Sequence, residues 1–190
     1  MTEHMDLIDS LSEFESRLLA HVPSSEAGLR EVLAQSIRET LELAPGDVEV
    51  EAAYGIRRHD VLVHQSKTGV EVKFHRAIAS GMNRPLTMQY GQLLADVRKL
   101  LANHALASRI LVLVTDRSGE THLRNKALLP VAWDRKREIR SAQISGLAKS
   151  ASRPATADGP WIDGSTRLVW KSQRLGTDAV GFAWHIEPVE

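Results

Sequence analysis

The sequence predicts an α/β domain with a mixed central sheet flanked by helices. Three observations predict it. Segments with helical apolar spacing are interleaved with segments of period-two alternation. Three short strands follow one another through turn residues before the next helix begins. One continuous apolar run, Ile110-Leu111-Val112-Leu113-Val114, has the pattern of a central strand buried on both faces. The element order reads α-α-β-β-β-α-β-α-β-β.

Leu7, Ile8, Leu11, Phe14, Leu18 and Leu19 predict a helix over 5–20. His21-Val22-Pro23 ends it, because proline disfavours helix at the residue before it. Ser24 or Ser25 caps a second helix over 25–43, with Leu29, Val32, Leu33, Ile37 and Leu41 as its apolar positions. Pro45-Gly46-Asp47 is a turn. Residues 48–52 and 58–64 are strands, Ser66-Lys67-Thr68-Gly69 is a hairpin turn, and 70–74 is a third strand. After a loop over 77–84, Pro85 opens a helix over 85–104 striped by Leu86, Tyr90, Leu93, Leu94, Val97, Leu100 and Leu101. The strand 110–114 and a short helix over 119–128 follow. Residues 147–164 are a Ser-, Ala-, Gly- and Pro-rich loop, and 167–170 and 180–186 are a closing pair of strands. The chain thus divides into an N-terminal helix (1–23), a core (24–128) and a C-terminal extension packing on the core (129–190).

The 190 residues suffice for one domain with a real core. No apolar run approaches the roughly 20 residues of a membrane span. The acidic start, Met1-Thr2-Glu3-His4-Met5-Asp6, has no basic leader, so a cytoplasmic location is expected. With no cysteine, disulfides, thiolate zinc sites and a cysteine nucleophile are excluded. The zero net charge hides a split: residues 1–50 carry 11 acids against 3 bases, and 51–190 carry 13 acids against 21 bases. Two readings stand. The basic part faces a polyanion while the acidic helices meet solvent, a protein partner or a second copy, or an acidic helix packs on a basic body.

The informative stretch runs from Asp60 to Lys73. Alternation puts Glu71 and Lys73 on one face of their strand and Val70, Val72 and Phe74 on the other. Asp60, on the preceding strand, meets Glu71 across the hairpin in the right register. Converging carboxylates repel unless a cation lies between them, and Mg²⁺ suits such oxygen ligands. The Val72 carbonyl is a further candidate ligand, and Lys73 beside the metal can orient a water or steady charge on a phosphoryl oxygen.

Asp60, ten intervening residues, then Glu71-Val72-Lys73, with a helix before and a helix and strand after, resembles the PD-(D/E)XK nuclease superfamily. The resemblance covers roughly 24–128 and implies a restriction-endonuclease-like core with a mixed sheet of four or five strands and extra C-terminal strands. It implies a metal-dependent hydrolase of phosphodiester bonds, acting on DNA rather than RNA and as an endonuclease rather than an exonuclease. It also implies products with 5′-phosphate and 3′-hydroxyl ends. Restriction, repair and anti-phage defence are the settings it implies. By this resemblance Asp60, Glu71 and Val72 are expected to bind Mg²⁺, with Mn²⁺ as a substitute, and Lys73 to orient or activate the attacking water. His59 stands where the family often has proline, and Gln89 and Tyr90 are adjacent rather than spaced as Gln-x-x-x-Tyr. Many members add a glutamate from the helix before the sheet. Of Glu26, Glu31 and Glu39, Glu26 falls nearest the apolar side and is the expected fourth catalytic residue. The alternative reading is a non-catalytic nucleic-acid-binding or protein-interaction module with the same fold.

His75, Arg76, Arg84 and Gln89 are expected to meet the nucleic acid, Arg84 at a helix start. Arg135, Lys136 and Arg137 either track a phosphate backbone or form a solvated face. His59, His64 and His75 lack zinc-site spacing and read as surface or strand-edge residues. Trp133, Trp161, Trp170 and Trp184 read as core or dimer-interface residues. No phosphate-binding glycine loop and no Gly-x-Ser-x-Gly elbow is present.

Overall fold

The computed structural model describes residues 3–75, 86–125, 137–139, 163–176 and 178–189. Helix α1 (Glu3–Ala20) is followed by α2 (Glu26–Thr40). Ser25 caps α2, its hydroxyl accepting the Gly28 amide at 3.1 Å. Strands β1 (Val48–Tyr54), β2 (Arg57–Val63) and β3 (Thr68–His75) form a meander. Then come α3 (Leu86–Ala102), β4 (Ser108–Asp116), α4 (Arg117–Asn125), β5 (Arg137–Ile139), β6 (Gly164–Leu175) and β7 (Ala179–Pro188).

The seven strands among the described residues join one mixed sheet in the order β1-β2-β3-β4-β7-β6-β5. Among the described residues only the β3–β4 pair is parallel, and α3 supplies its crossover. The sheet exceeds the four or five strands expected. Strands β6 and β7 are 12 and 10 residues long, and β7 pairs with β4 from Ile110 to Asp116. The closing pair thus continues the central sheet.

Helices α1 and α2 cover one face, where Leu11, Phe14, Leu18, Leu29, Leu33 and Ile37 pack on Val61, Val70, Val72 and Val112. Helix α3 covers the other, packing Leu93, Leu94, Val97, Leu100 and Leu101 against Leu62, Leu111, Leu113 and Trp184. Every residue of β4 is buried, as its unbroken apolar run predicts. Two of the four tryptophans belong to this core. Trp184 is fully buried and stacks on Phe182, and Trp170 donates its indole N–H to Glu15 of α1 at 3.0 Å. Trp133 and Trp161 lie outside the described residues.

The turn before β3 sits earlier than Ser66–Gly69. Lys67 takes the left-handed conformation (φ 50°), so the turn closes over His64–Lys67 and Thr68 and Gly69 already pair as strand. Gly69 serves close packing instead, because a Cβ there would lie 2.6 Å from Leu106 Cδ1. Among the described residues, no helix is long and apolar enough to cross a membrane.

Candidate functional site

The site is built where β2 parts from β3. Their ladder runs Val63↔Thr68, Leu62↔Gly69 and Val61↔Val70, and ends there. Just beyond, the β1–β2 ribbon turns over. Val48 and Val50 face the α1/α2 core, yet Ala52, of the same parity, faces the α3 core. Glu51 between them has φ 56°, in the left-handed region. On β2 the same reversal brings His59 to the α3 side and turns Asp60 towards α2. Asp60 Oδ2 then accepts the Val72 amide proton at 2.8 Å, and Oδ1 lies 3.5 Å from Arg30 of α2.

Strand β3 keeps its alternation. Val70 and Val72 pack into the α1/α2 core with Phe74 beside them, and Glu71 and Lys73 reach towards α3. The Lys73 ammonium stands among four oxygens: Asp96 Oδ2 and the Val72 carbonyl at 3.1 Å, Glu26 Oε1 at 3.4 Å and Asp60 Oδ2 at 3.9 Å. Burial by itself would lower the Lys73 pKa. Asp96, Glu26 and Asp60 outweigh it and raise the pKa above the ordinary lysine range. Asp96 is the weaker member of its pair. Burial pushes its carboxyl up to about 7 against the pull of Lys73, and Glu71 adds to the rise. His75, two residues on, is pushed down to about 4 by burial and by Lys73, and its Nε2 is buried without a hydrogen-bond partner among the described residues.

Glu71 is engaged elsewhere. It is 1% exposed, and both its oxygens are bound. Oε2 accepts from Lys99 of α3 at 2.6 Å, and Oε1 lies 2.7 Å from His59 Nδ1. The neighbouring bonds fix the tautomer of His59. Asn103 donates its Nδ2 to the Tyr54 carbonyl at 2.8 Å while its Oδ1 accepts the Ala105 amide at 3.2 Å. The amide therefore presents a donor to His59 Nε2, also at 2.8 Å. Nε2 accepts, the ring proton resides on Nδ1, and that proton is donated to Glu71. The expectation of a strand-edge histidine thus fails at His59, which is 1% exposed, because the reversal of the ribbon turns it inward. It holds at His64, which is exposed and 3.1 Å from Glu49.

Of the expected site residues, Asp60, Lys73, Glu26 and the Val72 carbonyl come together, and Glu71 sits beside them in its own network. The other candidate acids, Glu31 and Glu39, are exposed. Five residues of the site were absent from the sequence reading or misread by it: Arg30, His59, Asp96, Lys99 and Asn103. Arg30 Nη1 also lies 2.6 Å from Glu51 Oε1, and its Nη2 lies 3.8 Å from Glu26. Burial opposes the charge on Arg30, but Asp60, Glu51 and Glu26 prevail and raise its pKa. Arg76, Arg84, Arg135 and Lys136 lie outside the described residues, and of Gln89 and Arg137 only the backbone, in α3 and β5, is described.

Among the described residues, no three acidic or histidine side chains already converge as a ready metal cage. The oxygens around Lys73 nonetheless have the chemistry that a hard divalent cation takes, carboxylates and one carbonyl, with an ammonium at their centre. Comparison with known proteins gives no matching family model, no matching curated protein and no matching solved structure.

Proposed function

We propose that this chain is a metal-dependent nuclease of the PD-(D/E)XK type, hydrolysing phosphodiester bonds of DNA in preference to RNA. One observation carries the reading: three carboxylates and a carbonyl surround the ammonium of the Glu-x-Lys lysine where two strands part. The element order α2-β1-β2-β3-α3-β4, with β3 parallel to β4, supports it. Glu26, Asp60 and the Val72 carbonyl would hold Mg²⁺ or Mn²⁺, with Glu71 adjacent. Such an ion, when bound, stabilises charge on a phosphoryl oxygen and acidifies a bound water.

The chain's own groups have defined tasks. The Val72 amide and Arg30 hold Asp60 in one orientation. Asp96, Glu26 and Asp60 favour the charged form of Lys73, which is placed to donate to a phosphoryl oxygen or to the attacking water. His75 beside it is kept neutral and adds no charge there. Arg76, Arg84, Gln89, Arg135, Lys136 and Arg137 are the further contacts assigned to the nucleic acid.

A second reading, a non-catalytic nucleic-acid-binding or protein-interaction module of the same fold, is favoured by Glu71. Its charge is already met by Lys99 and its other oxygen by His59, as in an ion-pair network that docks α3 on β3. A plasmid-nicking assay with Mg²⁺, Mn²⁺ or EDTA separates the two. Metal-dependent nicking that Lys73→Ala abolishes supports the nuclease, and a DNA shift without nicking supports the module.

A further inference from the structure

The β1–β2 hairpin closes at its tip in a two-residue turn, Gly55-Ile56. Gly55 has φ 61°, and a Cβ there would lie 2.6 Å from Asn103 Oδ1, so the turn is seated on the residues that end α3. Asn103 also donates to the Tyr54 carbonyl at 2.8 Å. The tip is thus pinned from below, yet Ile56 at its apex is 75% exposed, the most exposed large apolar side chain among the described residues. Two arginines follow it. Arg57 is paired with Tyr54, which packs against the α3 core, and Arg58 is paired with Ala53, so the two side chains lie on opposite faces of the ribbon. Arg57 Nε has no hydrogen-bond partner among the described residues, and Arg58 meets Glu51 in an ion pair exposed on both sides.

We propose that this hairpin tip is a groove contact for duplex DNA, in which Ile56 meets base edges while Arg57 and Arg58 each reach a phosphate on one of the two walls. The proposal rests on the nucleic-acid reading above and holds for a nuclease and for a non-catalytic module alike. Charge and shape select the occupant. An apolar apex between two guanidiniums suits a ligand whose apolar surface lies between two lines of negative charge, which is the groove of a duplex. A single strand offers one such line, and its unpaired bases call for an aromatic platform, whereas Tyr54 of this hairpin is packed against the core. The exposed Arg58–Glu51 pair holds the guanidinium only weakly, so a phosphate can take it over. Because the turn is already fixed by Asn103, little ordering is needed when the apex binds. Ile56 stands four residues before Asp60, about 13 Å along an extended strand. With a rise of about 3.4 Å per base pair, the tip grips the duplex about four base pairs from the carboxylates around Lys73.

The test is fluorescence anisotropy in Ca²⁺ with a short labelled DNA duplex and with one of its strands alone, for wild type, Ile56→Ser and the double variant Arg57→Gln, Arg58→Gln. Ile56 is exposed, so Ile56→Ser should fold as wild type does. Its affinity for the duplex should fall about tenfold, the scale of returning one isoleucine side chain to water. Its affinity for the single strand should stay near wild type, and its dependence on salt should not change, because no charge is lost. The double variant should lower the slope of log K against log salt by about two, one for each phosphate released. If wild type binds the duplex and Ile56→Ser binds it equally well, or the double variant keeps the full slope, the proposal falls while the nucleic-acid reading stands. Equal losses on duplex and single strand also overturn it, since the contact is then not to a groove. Wild type that binds neither DNA overturns the reading and the proposal together.

Discussion

Asp60 Oδ2 accepts the Val72 amide proton at 2.8 Å, across the gap that opens where β2 and β3 part. An amide that a continuing ladder would have paired with backbone is paired instead with a carboxylate. One side chain therefore completes the sheet and aims an acid at the space beside Lys73.

Metal binding should stabilise the fold in a manner that depends on Asp60. Millimolar Mg²⁺ or Mn²⁺ is expected to raise the Tm of the wild type, as mass action requires of a ligand that binds only the native state. Asp60→Asn keeps an oxygen for the Val72 amide and should fold, but its increment should shrink. Asp60→Ala should in addition lose about 1–3 kcal/mol from the orphaned amide. Thermal scans with and without metal measure both effects. Equal increments in wild type and Asp60→Asn would remove Asp60 from the site.

The Glu71 network should be expensive to break. His59→Phe leaves Oε1 of a buried carboxylate without its donor, and about 1–3 kcal/mol is the scale of such a loss. His59→Gln retains a donor and should recover part of it. Asn103→Ala removes the partner of the Tyr54 carbonyl, of the Ala105 amide and of His59 Nε2, and should cost at least about 1–3 kcal/mol. Urea denaturation provides the comparison. A His59→Phe protein within about 0.5 kcal/mol of wild type, the level of a surface substitution, would mean that Glu71 does not depend on His59.

The α/β class, the meander of β1 to β3 and the buried β4 were legible, because each leaves a local period or an unbroken apolar run. The facing of Val70, Val72, Glu71 and Lys73 was legible for the same reason. The meeting of Asp60 with Glu71 was not. It assumed unbroken alternation along β2, and the reversal near Glu51 and Asp60 exchanges the faces of His59 and Asp60. No local signal marks that reversal, since Glu51 takes a left-handed conformation without being glycine or asparagine. The partners from other elements were hidden by distance in sequence, yet two left a trace. Asp96 lies three residues after Leu93 and four before Leu100, on the flank of an apolar stripe. Arg30 follows Leu29 and stands four residues after Glu26. A charged residue on the flank of a buried stripe needs a partner, and here each has one on the sheet. The full extent of the sheet was missed because β6 continues well beyond the short apolar segment that marked it, while β7, within two residues of its expected bounds, joins the sheet by pairing with β4.

Two buried groups should give opposite pH dependences. His75 falls from 6.5 to about 4 on folding. Its contribution to stability is complete above pH 6.5 and is lost as pH falls through about 4. Asp96 rises from 3.8 to about 7, so its contribution is complete below pH 3.8 and is lost as pH rises through about 7. Between pH 4 and 6.5 the two slopes oppose each other. Removing one should expose the other. Relative to wild type, His75→Gln should lose stability as pH rises across this window, and Asp96→Asn should gain it. Urea midpoints at pH 4.5 and 6.5 test the pair, and parallel slopes in the three proteins would show that neither group titrates as its burial demands.

Lys73 separates chemistry from binding. It lies where three carboxylates meet, so its charge serves both the fold and the proposed reaction. Lys73→Ala leaves Glu26, Asp60 and Asp96 facing one another, so the metal-free protein should be less stable and should recover more Tm than wild type when Mg²⁺ is added. Its cleavage should fall by about two to four orders of magnitude, the scale of losing one group that stabilises developing charge. DNA affinity, measured by filter binding in Ca²⁺, should change only a few-fold, because one charge is a small part of an interface with many phosphate contacts. Lys73→Arg keeps the charge but places a broad planar group in an enclosure fitted to an ammonium, and should restore little of the rate. Single-turnover kinetics read the chemical step directly. A Lys73→Ala protein that cuts at near wild-type rate would assign the lysine to docking β3 against α2 and α3, and Glu71-Val72-Lys73 would then be an ordinary amphipathic strand.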